Sequence, residues 1–115
     1  MAISEAFAAD ATVGTTQYSL TNDSTVIATQ TDDGIYQLVL ECNNMAAGDV
    51  FDVQILEKPQ GAGTQRRVQT WRLTGAQSDP LFVSPAVILM HGWDFTLIKI
   101  SGTDRSFTWS IRKVT

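Results

Sequence analysis

Three residues have the types a hydrolase needs: Ser84, His91 and Asp94, within eleven positions of one another. A serine nucleophile requires a histidine to take its proton and a carboxylate to orient that histidine, all three converging in space. Ser84 sits in no nucleophile elbow, and Met90-His91-Gly92 reads as a turn. His91 is therefore taken as a turn residue, and base–nucleophile geometry is the condition a catalytic reading would have to meet. Zinc wants three or four N/S ligands, which one histidine and one cysteine do not supply. Asp32-Asp33 and the pair Asp49 and Asp52 lack the dense oxygen-ligand loop of a calcium site and read as solvated turns. Gly61-Ala62-Gly63 precedes no lysine and opens no helix, so it does not match a phosphate cradle. The expectation is a protein without catalysis, metal or cofactor.

Trp71, Trp93 and Trp109 would make a sugar-stacking platform if they were exposed. All three alternate with polar neighbours, as core residues do, and are assigned to the core. Cys42 shares an apolar face and is read as a small buried hydrophobe rather than a reactive thiol. As the single cysteine it excludes an internal disulfide. Charged residues make up 17% of the chain and the net charge is -4, against a usual charged share of about 25%. Nucleic-acid backbone binding needs clustered Lys and Arg, and here Arg66-Arg67 and Arg112-Lys113 are the only adjacent basic pairs. The start, Met1 to Glu5, has neither the positive nor the apolar region of a signal peptide. No stretch approaches the ~18 apolar residues of a membrane span. Neither nucleic acid nor membrane is expected as a partner.

At 115 residues the chain is long enough for one core. Its elements read as strands. Trp93 to Val114 is organised as a hairpin: Phe95 and Leu97 alternate with polar residues before the break at Ser101–Arg105, and Phe107, Trp109 and Ile111 do so after it. The best register sets Leu97 against Trp109, Phe95 against Ile111 and, on the other face, Asp94 against Arg112. Further strands are expected at Ser4 to Val13, Thr15 to Leu20, Thr25 to Gln30, Ile35 to Cys42, Val50 to Lys58, Gln65 to Leu73, Leu81 to Val83 and Ala86 to Leu89. Pro85 lacks an N–H and belongs at an edge or bulge. One conflict stands out. Apolar residues are even-numbered before the loop 43–49 (Tyr36, Leu38, Leu40) and odd-numbered after it (Phe51, Val53, Ile55). If the two strands pair as a hairpin, an even loop or a β-bulge near Gly48 must shift the phase.

Turns every 8–12 residues and no convincing helix define an all-β, single-domain antiparallel β-sandwich, jelly-roll-like, with a small closed β-barrel as the alternative. Residues 15–115 form the sandwich domain. Residues 1–14 are an N-terminal arm or an edge strand, with Ile3 and Phe7 as isolated apolar anchors for a protein interface.

Segments 75–85 (GAQSDPLFVSP), 91–112 (HGWDFTLIKISGTDRSFTWSIR), 46–58 (AAGDVFDVQILEK) and 7–20 (FAADATVGTTQYSL) resemble small virion-associated proteins of tailed bacteriophages. The resemblance implies a structural virion protein of the capsid decoration (cement) type, bound to the major capsid protein of the assembled head. Such proteins are often β-rich and trimeric, so it also implies a homotrimer at the capsid surface. It carries no contact residues over, because the group has no site motif to match. Three other readings stay open: a tail or head–tail connector protein, a carbohydrate- or receptor-binding module, and an esterase built on Ser84 and His91.

Overall fold

The computed structural model describes residues 2–115. Nine strands are present: β1 (Ile3–Val13), β2 (Tyr18–Ser19), β3 (Gly34–Glu41), β4 (Val50–Glu57), β5 (Arg66–Thr74), β6 (Leu81–Val83), β7 (Val87–Leu89), β8 (Asp94–Ser101) and β9 (Arg105–Val114). They form two antiparallel sheets, one in the order β1-β9-β3-β6 with β7 also on β3, the other in the order β2-β8-β4-β5. Counting β6 and β7 as one interrupted strand, the orders become 1-8-3-6 and 2-7-4-5, the strand order of a two-sheet jelly roll. The sandwich is open, not a closed barrel.

Period two explains the core. Tyr36, Leu38, Leu40, Phe107, Trp109 and Ile111 of the first sheet are buried, facing Phe51, Val53, Ile55, Phe95 and Leu97 of the second. Aromatic contacts knit the layers: Phe51 meets Phe107 edge to face at 4.8 Å between ring centres, and Trp71 meets Phe82 in a tilted contact at 5.6 Å. Trp109 donates its indole N–H to the Leu20 carbonyl at 2.9 Å.

The expected hairpin is not one. β8 and β9 lie in different sheets. Leu97 pairs with Val53 and Tyr18, and Trp109 with Leu40 and Ala9. Asp94 pairs with Leu56, whereas Arg112 lies between Glu5 and Gln37 on the other sheet. The two runs face each other through the core rather than along a ladder, and alternation is the same in both arrangements. Gly102 makes the crossing. Its φ is +92°, and a Cβ there would lie 2.7 Å from the Asp49 Cα, so only glycine fits. Asp49 accepts hydrogen bonds from the Ala46 N–H (2.9 Å), the Thr103 N–H (3.1 Å) and Arg105 Nε (2.6 Å). One carboxylate thus ties the β3–β4 crossing to the β8–β9 crossing. The phase conflict between β3 and β4 dissolves for the same reason: each belongs to a different sheet, and each turns its own apolar face inward.

Thr25 to Gln30 is not a strand. Its one bridge joins Gln30 to Trp93, and side chains hold the backbone elsewhere. Asp94 accepts the Ala28 N–H at 3.0 Å, and Gln65 donates to the Ala28 carbonyl at 2.8 Å. Pro85 does interrupt an edge, between β6 and β7. Beside it the Ser84 hydroxyl stands in for a ladder carbonyl and accepts the Leu38 N–H at 2.9 Å. Residues 3–13 pair along β9 as an edge strand, with Ala6 left out as a bulge between Glu5 and Phe7.

Candidate protein interface on the outer face of the first sheet

Directly paired residues share a face of a sheet. Ile3 pairs with Val114, Val114 with Ile35, and Ile35 with Ile88, which makes one row across β1, β9, β3 and β7. The row is on the outer face, since the neighbouring Tyr36 is fully buried in the core. Ile3 is 65% exposed, Ile35 39% and Ile88 80%. Solvated sheet faces are expected to be polar, so a four-residue apolar row is an anomaly and a candidate contact surface. The next rows are Glu5–Arg112–Gln37, then Ala8–Ser110–Val39–Val83, then Asp10–Thr108–Glu41–Leu81. Small Ala8 and Ser110 leave a groove of about 420 Å³ between Glu5, Glu41 and Leu81. Glu5 is held across it by the Ser110 hydroxyl, which donates at 2.8 Å.

Of the two residues expected at an interface, Ile3 is in this row. Phe7 points the other way and packs its ring edge against Trp93, 6.1 Å between centres. Ile35 was visible in the sequence as an apolar residue on the polar side of β3, beside Gln37 and Glu41. Ile88 was hidden inside the uniformly apolar run 86–89.

The chemical candidates are dispersed. The Ser84 hydroxyl is committed to the Leu38 N–H and the Pro85 carbonyl. Asp94 is fully buried and accepts the Thr21 hydroxyl and the Ala28 N–H. Burial raises its carboxyl pKa, against the lowering effect of hydrogen bonds from Ser19, Thr21 and Ala28. Neither residue hydrogen-bonds His91. Asp32 is paired with Lys113, whose ammonium, with the Tyr36 hydroxyl, holds its pKa down. Asp52 receives two bonds from Arg72 at 2.8 and 2.9 Å. Among the described residues no three His, Cys, Asp or Glu side chains cluster closely enough to hold a metal ion. Trp93 and Trp109 are buried and Trp71 packs against the core, so the tryptophans form no outer platform. Burial pushes the Cys42 thiol up to about 11, the direction that makes a thiol unreactive.

Comparison with protein families, curated proteins and solved structures found no match.

Proposed function

We propose that the protein is a bacteriophage capsid decoration protein, a non-enzymatic component that binds the assembled head shell and stabilises it. The observation that carries the reading is the outer apolar row Ile3–Val114–Ile35–Ile88, exposed at its three isoleucines, a surface suited to contact with another protein. The resemblance of the sequence to small virion proteins supplies the shell as partner. The jelly roll is an architecture shared by viral capsid and lectin domains. A lectin-type reading would use stacking aromatics, and here the tryptophans are turned inward.

A shell repeats its binding sites, so modest contacts suffice where one oligomer engages several capsid subunits at once. Covering Ile3 or Ile88 is worth about 1.5–3 kcal/mol each, roughly tenfold or more in affinity per residue. The test is co-sedimentation of the protein with capsids stripped of it. Wild type should sediment with the particles, and Ile3→Asp/Ile88→Asp should remain in the supernatant with an unchanged thermal midpoint. Equal sedimentation of both forms would remove the row from the contact. Recovery of wild type on isolated tails and not on heads would replace the decoration reading with the tail one.

A further inference from the structure

β1 and β5 are the long edges of the two sheets, and their charges are opposite. β1 carries Glu5 and Asp10 and no cation; β5 carries Arg66, Arg67 and Arg72 and no anion. Like charges facing one another oppose β1–β1 and β5–β5 joins, and opposite charges favour β1–β5. We infer that copies of this chain associate head to tail, the β1 edge of one pairing antiparallel with the β5 edge of the next. It extends the virion reading above to contacts between copies, and its test is separable from shell binding.

The register supports the join. Glu5 and Asp10 stand on one face of β1, opposite Arg112 and Thr108, with bulged Ala6 between them. Arg67 and Arg72 stand on one face of β5, opposite Leu56 and Asp52, with bulged Val68 between them. Leaving out each bulge, Glu5 meets Arg72, Phe7 meets Trp71, Ala8 meets Thr70, Ala9 meets Gln69 and Asp10 meets Arg67. Every pair then lies on a common face. The backbone phase agrees. Ala2 and Thr115 exchange both N–H···O bonds, so Ile3 and Glu5, and past the bulge Ala8 and Asp10, turn theirs to the open edge. Gly75 bonds inward to Asp49, so Thr74, Arg72 and Thr70 turn theirs outward. Arg72 already holds Asp52, yet its side chain remains 58% exposed and can take a second carboxylate.

Orientation follows from topology. β1 and β5 run in the same direction in opposite sheets, and the Trp71–Phe82 contact places β5 over β6, at the far edge from β1. An antiparallel join therefore brings both outer faces to one side. It relates the copies by about a half-turn along the direction of growth, which gives open rows rather than the closed trimer that the resemblance implies.

The mass of the purified full chain, followed by sedimentation velocity at low ionic strength and at about 1 M salt, where screening reaches ~3 Å, tests this. Wild type should rise above the 12.6 kDa monomer with concentration and return to it in high salt. Asp10→Lys and Arg67→Glu should each stay monomeric, and the double variant Asp10→Lys/Arg67→Glu should assemble again. Should either reversal disturb the fold by circular dichroism, Asp10→Asn and Arg67→Gln replace them and should raise the assembly threshold. A monomeric wild type, charge variants that assemble as wild type does, a double variant that stays monomeric, or a salt-indifferent trimer each overturns the inference. Particle co-sedimentation reports separately: a row-forming protein that ignores capsids sinks only the shell reading.

Discussion

Asp49 is the polar residue on which the crossings depend. It is 1% exposed, and Arg105 first, then the Ala46 and Thr103 N–H groups, hold its carboxyl down to about 2. In the unfolded chain an aspartate titrates near ~3.9. The folded pKa is the lower one, so the stability Asp49 lends is complete above about pH 5 and disappears as pH falls through ~4 toward 2. Asp49→Asn should lower the thermal midpoint at neutral pH and flatten its decline between about pH 4 and 2; an acid limb identical to wild type would remove Asp49 from this role. Trp109 is its apolar counterpart, 3% exposed between the sheets. Trp109→Ala should cost about 3–5 kcal/mol in chemical denaturation, as large aromatic deletions in cores do. A loss below about 1 kcal/mol would contradict its place in the core.

At the scale of elements, β1 packs its inward side chains Phe7, Ala9, Ala11 and Val13 against the core and pairs with β9 from Ile3 to Val13. Removing residues 1–14 should therefore abolish the cooperative thermal transition rather than leave a folded domain. A truncated protein that melts cooperatively within a few degrees of wild type would return these residues to the status of an arm. Which segments are strands was legible for β3, β4, β5, β8 and β9, because period two marks the buried face of each. Which strands are neighbours was not. Phe95, Leu97, Phe107 and Trp109 alternate identically in a hairpin and in a crossing between sheets, and the partners that distinguish the two, β4 for β8 and β3 for β9, are remote in sequence. Asp94 and Asp52 sat on the polar sides of their strands, and both are buried. The groups that cover them, Thr21 with Ala28 and Arg72, come from segments that the sequence does not place beside them. The outer apolar row was half visible, since Ile3 stood alone among small residues whereas Ile88 blended into its strand.

At the scale of the molecule, a jelly roll places most strands beside partners remote in sequence. The first sheet has an apolar row on its outer face, and acidic β1 and arginine-bearing β5 leave opposite edges open. The pairing of β1 with β9 has a consequence for synthesis. Among the described residues β9 is the ladder partner of β1, and it is synthesised after every other described strand. With about 90 residues between them and translation at about 5–20 residues per second, β1 waits about 5–20 s before its partner exists. Such non-local closure is slow and leaves a chain open to aggregation. The composition of β1 suits that wait: Ala, Ser and Thr dominate, two carboxylates interrupt them, and only Ile3, Phe7 and Val13 are large and apolar. The segment that must stay unpaired longest during translation is thus among the least adhesive in the chain.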